Sequence, residues 1–170
     1  IMAPKIGDDV PDVTLLEGQP EWAPAVSHSL KSLCAPGKTV VVFAVPGAFT
    51  PTCSKTHAPS FIKMGDELKA AGVDTVICTA TNDPFVMQAW GSALGVPPGS
   101  ILMLSDEKCE LCRALNETGS SPTFVRTKRY AMIVRDGKIT HFMPGEKEDG
   151  ERCPQDTYAD AVLAALKAST

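Results

Sequence analysis

The chain lacks long apolar runs, blocks of one charge and linker-like tracts, and each absence removes a class of function. No apolar stretch approaches the roughly 20 residues that a membrane-spanning helix needs, so the expectation is a protein with no membrane partner. The N-terminus has no basic segment followed by a hydrophobic one, as a secretory leader would. Ile1 ahead of Met2 reads as a processing remnant, which leaves a removed targeting segment open. The final Ala168-Ser169-Thr170 is not the peroxisomal tripeptide. The 16 Lys and Arg are interspersed with 20 Asp and Glu for a net charge of −4, which argues against a nucleic-acid surface. A small neutral substrate needs no such field. No repeat, low-complexity tract or linker divides the 170 residues, so one domain over 1–170 around a single core is expected.

What the chain does have is six cysteines, Cys34, Cys53, Cys78, Cys109, Cys112 and Cys153. They are spread through a sequence with ample apolar residues, unlike the framework of a small secreted disulfide scaffold, and an intracellular redox or metal role fits better. One stretch organises the rest: Val40-Val41-Val42-Phe43-Ala44-Val45, then Pro46-Gly47-Ala48-Phe49-Thr50-Pro51-Thr52-Cys53. The short β-branched run bounded by Pro46 and Gly47 predicts a strand covered on both faces. Thr50 is a good N-cap and Pro51 suits the first helical position. Cys53 then falls in the first helical turn, near open backbone N–H groups and the positive end of the helix dipole. That placement favours thiolate over thiol and nominates Cys53 as a nucleophile.

The remaining elements follow in order. Residues 6–16 predict an irregular lead-in with a short edge strand, and Ser27 to Leu33 a short helical turn stopped by Ala35-Pro36-Gly37. The helix bearing Cys53 should run through Phe61, Ile62, Met64 and Leu68 to Gly72, kinked at Pro59. Strands are expected at Val73–Ala80 and Ile101–Leu104, with capped helices after each, Asn82-Asp83-Pro84 opening the one at Phe85–Leu94 and Ser105-Asp106 the one through Leu115. Asn116 to Thr123 reads as loop. Tyr130–Val134, Asp136-Gly137 and Lys138–Phe142 carry the Asp-Gly hairpin signal. A helix over Asp156–Leu166 closes the chain. Alternating strands and helices point to an α/β fold with a mixed β-sheet.

The run Pro46 to Cys53, continued by Ser54-Lys55-Thr56-His57, closely resembles the signature of atypical peroxiredoxins, the peroxiredoxin 5 or type II group. Lys5-Ile6-Gly7-Asp8, Val76-Ile77-Cys78 with Asn82-Asp83, and Lys128-Arg129-Tyr130-Ala131-Met132 resemble the same family in the same order. The resemblance implies a thioredoxin-like fold, a central mixed β-sheet flanked by helices, and thiol-dependent reduction of hydrogen peroxide and alkyl hydroperoxides with no cofactor and no bound metal. It makes Cys53 the peroxidatic nucleophile. Thr50 would place its hydroxyl against sulfur and peroxide, Pro46 would shield the site, and Gly47, Thr50 and Arg129 would bind substrate. Arg129 would compensate charge at the sulfur and polarise the peroxide. His57 reads as a packing or hydrogen-bonding residue.

The resulting sulfenic acid needs a second thiol before further oxidation. Cys153 resembles the family's resolving cysteine, Cys78 occupies a position that resolves in some members, and Cys34 could act across a dimer. An external thiol, in a 1-Cys-type peroxidase, is the alternative. Cys109-Glu110-Leu111-Cys112 departs from the family and carries a competing reading, a disulfide oxidoreductase using that pair. A zinc module of Cys109, Cys112, Cys153 and His141 is a third. By resemblance the partners are thioredoxin, glutaredoxin or a similar thiol reductant and a second copy in a homodimer, in a cytoplasmic or mitochondrial setting.

Overall fold

Every residue from Val40 to Val45 is completely buried, and the strand they form, β3 (Thr39–Ala44), is the spine of the molecule. A computed structural model describes residues 4–168; the terminal residues singled out above, Ile1, Met2, Ser169 and Thr170, lie outside the described residues. Because side chains alternate along a strand, β3 feeds two cores. Val41 and Phe43 pack with Phe61, Leu68, Trp90, Val162 and Leu166 on one face. Val40, Val42 and Ala44 pack with Leu15, Leu30, Leu111, Tyr130 and Met132 on the other.

The other strands are β1 (Thr14–Glu17), β2 (Val26–Ser29), β4 (Thr75–Ala80), β5 (Leu102–Ser105), β8 (Tyr130–Arg135) and β9 (Lys138–Pro144), with a separate ribbon of β6 (Thr118–Gly119) and β7 (Arg126–Thr127). They assemble as a seven-stranded sheet in the order β2-β1-β5-β4-β3-β8-β9. β3 runs parallel to β4 and antiparallel to β8, so the sheet is mixed, as expected. Helices α1 (Leu30–Leu33), α2 (Ala58–Lys63), α3 (Gly65–Ala70), α4 (Pro84–Ala93), α5 (Glu110–Ala114) and α6 (Ala159–Ala168) cover it. The hairpin between β8 and β9 turns at Asp136 and Gly137, with φ of 53° and 75°, the left-handed pair that a tight two-residue turn requires.

Five local expectations are corrected. Ser27–Ser29, expected as part of a helical turn, belongs to strand β2, because the whole of Val26–Ser29 pairs with Thr14–Glu17 and tertiary pairing overrides weak propensity. β1 therefore lies inside the sheet and β2 at its edge. The long helix after Cys53 is divided at Met64 (φ −102°, ψ 19°), where α2 ends and α3 restarts at Gly65 with Asp66 and Glu67 in its first turn. The irregularity expected at Pro59 takes the form of a π-helical turn over Cys53–His57, directly before it. The loop after Asn116 contains β6, paired with β7 in register Thr118↔Thr127.

Candidate active site

The turn out of β3 brings Pro46, Gly47, Thr50 and Cys53 to the carboxyl end of the parallel strands, the usual place for sites in such sheets. Ala48 N–H donates to Asn82 Oδ1 at 2.9 Å, tying this turn to the one after β4. Thr50 sits at the helix entrance, its carbonyl accepting from Ser54 N–H at 2.9 Å. Its hydroxyl does not cap the helix; it donates back to Gly47 C=O at 2.7 Å, leaving oxygen lone pairs at the entrance. Cys53 opens the π-helical turn, and Ala58 N–H returns to its carbonyl. Such wide turns are rare and concentrate at functional positions.

Cys53 is 1% exposed, and its sulfur is the acceptor of a charged donor: Arg129 Nη2 reaches Sγ at 3.2 Å. The guanidinium is itself held. Arg129 Nη1 donates to His57 Nδ1 at 2.7 Å. Arginine has no acceptor, so Nδ1 accepts and the ring proton resides on Nε2, which donates to Thr157 C=O at 3.0 Å. His57 is completely buried, between the rings of Phe43, Phe61 and Tyr158 at 5.1, 5.7 and 5.3 Å. Burial, helped by the Arg129 charge, pushes its pKa down to about 3. It is a neutral acceptor that orients Arg129 and leaves the cation's charge for the sulfur.

A second cation, which the sequence reading did not single out, completes the rim. Arg126 Nη1 donates to Pro46 C=O at 2.8 Å, and its guanidinium lies 4.3 Å over the Phe124 ring. Gly47 is explained by this contact, since a Cβ there would overlap Arg126 Nη1. No periodicity or motif pointed to Arg126; its seat is made by β7, a strand too short to show a pattern. Pro46, Thr52, Arg126, Arg129, Glu146 and Arg152 line a cavity of about 330 Å³, whose wall shares Arg129 with the Cys53 sulfur. A larger depression of about 680 Å³ lies at the opposite end of the sheet, by Thr75 and Ile101.

The candidate resolving thiols sit in three different parts of the fold. Cys153 precedes a 3-10 turn, Pro154–Thr157, whose last residue accepts the His57 proton. Its N–H donates to Gly145 C=O at 2.9 Å, and Gly145 N–H donates to Arg129 C=O at 2.8 Å, so its loop is bonded to the backbone of Arg129. A Cβ on Gly145 would meet Arg129 C=O at 2.9 Å. Burial, with an Asp156 hydrogen bond, raises the Cys153 thiol. Cys78 is completely buried in β4, and burial pushes its thiol well up. Cys34 lies in the core on the other face of the sheet, pushed up to about 12 by burial. Among the described residues no group of three or more His, Cys, Asp or Glu is placed to hold a metal ion, so Cys109, Cys112, Cys153 and His141 do not form the zinc module considered above. No helix of the described residues is long and apolar enough to cross a membrane.

The redoxin family model matches residues 5–163. Peroxiredoxin-2B of Arabidopsis thaliana is 41% identical, with 97% of this chain and 100% of that protein covered. The chloroplastic peroxiredoxin-2E-2 of Oryza sativa subsp. japonica is 43% identical over 79% of this chain and 61% of its own length, so the chain spans about three fifths of that relative. Among solved structures, reduced Prx3 from Vibrio vulnificus in complex with H2O2 superimposes with a TM-score of 0.84 at 39% identity, covering 96% of this chain and 99% of that one. Peroxiredoxin 5 from Alvinella pompejana superimposes with a TM-score of 0.80 at 33% identity, covering 97% and 99%.

Proposed function

The chain belongs to the redoxin family, as an atypical, type II peroxiredoxin with a thioredoxin-like fold, and from that premise we propose a thiol-dependent peroxidase, working as one domain, whose attacking atom is Cys53 Sγ. The observation that carries this reading is the Arg129 Nη2 donor at 3.2 Å from a sulfur otherwise sealed from solvent. The Cys53 thiolate attacks the terminal oxygen of a hydroperoxide in line with the O–O bond. That bond breaks, sulfur keeps the oxygen as sulfenic acid, and the alkoxide, or hydroxide from hydrogen peroxide, leaves and takes up a proton. Arg129 compensates charge at the sulfur before attack and at the oxygens during it, the preorganised electrostatic help that contributes most when charge moves. Thr50 presents its hydroxyl oxygen to the peroxide proton while its own proton stays on Gly47 C=O. Pro46 and Gly47 form the wall that excludes water.

Cys153 resolves the intermediate: its thiol attacks the Cys53 sulfenic sulfur, a disulfide forms and water leaves. Two features support it over Cys78. The Cys153 loop is bonded to the Arg129 backbone, and it leads into a short 3-10 turn that can open at less cost than the centre of β4. Both sulfurs start buried, so resolution requires the π-helical turn or the Cys153 loop to unwind. The disulfide is then reduced by thioredoxin, glutaredoxin or a similar thiol protein. Six free cysteines suit a reducing compartment, cytoplasmic or mitochondrial. The working unit is a homodimer, by analogy with the family.

Replacing Cys53 by Ser abolishes peroxide consumption in this account, while Cys78→Ser leaves it in place. Mass mapping of the wild type after one equivalent of hydrogen peroxide gives a Cys53–Cys153 linkage. Peroxide consumption persisting in Cys53→Ser overturns the peroxidase reading; a Cys53–Cys78 linkage overturns the choice of resolving thiol alone.

A further inference from the structure

Cys109 and Cys112 take no part in the cycle above, and their surroundings are those of a working thiol pair. They flank the start of α5, and Leu111 between them is buried in the core on the sheet face opposite Cys53. Cys109 holds a left-handed backbone, φ 57° and ψ 29°, which a non-glycine residue adopts only when its surroundings impose it. Cys112 Sγ donates back to Cys109 C=O at 3.5 Å and accepts from Thr118 Oγ1 at 3.9 Å, while Cys109 Sγ donates to Glu107 C=O at 3.9 Å. Cys109 is the outer member, 6% exposed behind the exposed Glu107 and Lys108, and Cys112 the inner, at 1%.

Beneath the pair lies a carboxyl group with no role in the peroxidase site. Asp106 is 3% exposed, and its two oxygens accept from Leu111 N–H at 3.1 Å and Cys112 N–H at 3.0 Å. The Cys112 N–H bond sets the carboxylate beside that residue, and its charge acts on the Cys112 thiol. Burial raises the Asp106 carboxyl and, with the neighbouring Asp106 charge, lifts the Cys112 thiol to about 12. A buried thiol that ionises reluctantly beside a carboxylate that can take its proton is suited to the second, internal step of disulfide exchange.

We propose that Cys109, Cys112 and Asp106 form a second redox site, independent of Cys53, that exchanges with low-molecular-weight disulfides. Cys109 Sγ attacks one sulfur of the small disulfide, its S–S bond breaks and one thiol leaves with the proton that Cys109 gives up. Cys112 then passes its proton to Asp106 and attacks Cys109 Sγ. The mixed disulfide breaks, the second thiol leaves and takes the proton from Asp106, and the Cys109–Cys112 bond closes. Two protein thiols are oxidised and one small disulfide is reduced to two thiols, so atoms and electrons balance.

The test uses the Cys53→Ser chain, in which the peroxidase centre is silent, incubated with excess oxidised glutathione, then alkylated and digested with trypsin. Cleavage after Lys108 and Arg113 releases both cysteines in the single peptide 109–113. The expected product is that peptide 2 Da lighter than its dithiol form and carrying no alkyl group. Adding Asp106→Asn should slow closure at least tenfold, with the glutathione adduct on Cys109 accumulating. Recovery of the peptide from Cys53→Ser with two alkyl groups, or as a persistent glutathione adduct, overturns the site. Unchanged closure in Asp106→Asn overturns the proton transfer.

Discussion

Cys53 and Cys78 share one apolar core and almost the same burial, 1% and 0% exposed, yet their surroundings prepare opposite chemistry. Cys78 projects from β4 among hydrocarbon, and burial drives its thiol well above the ordinary range, with Cys53 adding to the push. Cys34 repeats the pattern on the other sheet face. Cys53 stands at an open helix entrance and receives a guanidinium delivered from 76 positions later in the chain. Burial by itself makes a cysteine inert. Burial joined to one charged donor at hydrogen-bond distance makes a site, because the same low dielectric that penalises a lone thiolate strengthens its interaction with a cation.

The largest break in that comparison comes from Arg129→Met, which leaves Cys53 surrounded much as Cys78 is. Removing a preorganised charged donor costs about 10²–10³ in rate, so the second-order rate constant for peroxide should fall by that factor in stopped-flow measurements, with the fold intact by circular dichroism. A loss below about threefold would mean that the helix entrance alone activates the thiol.

His57→Gln sharpens the same point through pH. His57 titrates near 6.5 when unfolded and near 3 in the fold. Its neutral state therefore contributes stability that is complete above pH 6.5 and lost as pH falls towards 3. Over the interval from pH 6.5 to 5 the loss is about 2 kcal/mol, at 1.36 kcal/mol per unit. Glutamine supplies an acceptor for Arg129 but no titration, so urea unfolding of His57→Gln should lack that slope while retaining most of the peroxide rate. Equal slopes in both proteins would contradict a buried neutral imidazole.

A smaller effect is expected from Gly145→Ala. Its Cβ would press on Arg129 C=O, displace the guanidinium by a few tenths of an ångström and lower the rate about tenfold or less, a fraction of the penalty for losing the donor. The smallest belongs to Cys78→Ala: the first turnover with peroxide should be unchanged within about twofold, since a thiol without a charged donor adds nothing to the attack.

Much of the scaffold was legible because it rests on strong local signals. The β-branched run gave β3, Asp136-Gly137 gave the hairpin, and Asp83-Pro84 gave the α4 start, where Asp83 Oδ1 accepts from Phe85 N–H at 2.8 Å. Of the candidate site, Pro46 to Cys53 and Arg129 were marked by a motif, and the fold brings Arg129 to the Cys53 sulfur. What stayed hidden is made by long-range contact. Ser27-His28-Ser29 becomes strand only by pairing with β1, and Arg126 reaches Pro46 across 80 positions through a two-residue strand. The π-helical turn has the same origin: nothing in Ser54-Lys55-Thr56 favours it, but it accompanies the placing of Cys53 and His57 on the two guanidinium nitrogens of one arginine.

The most direct test of this account is to give the Cys153→Ser protein a limiting dose of hydrogen peroxide, trap sulfenic acid with dimedone and map the remaining cysteines. The adduct should fall on Cys53, with Cys34, Cys78, Cys109 and Cys112 recovered as thiols, and should nearly disappear when Arg129→Met is added. Oxidation of Cys78 or Cys109 ahead of Cys53, or an undiminished Cys53 adduct without Arg129, would contradict it.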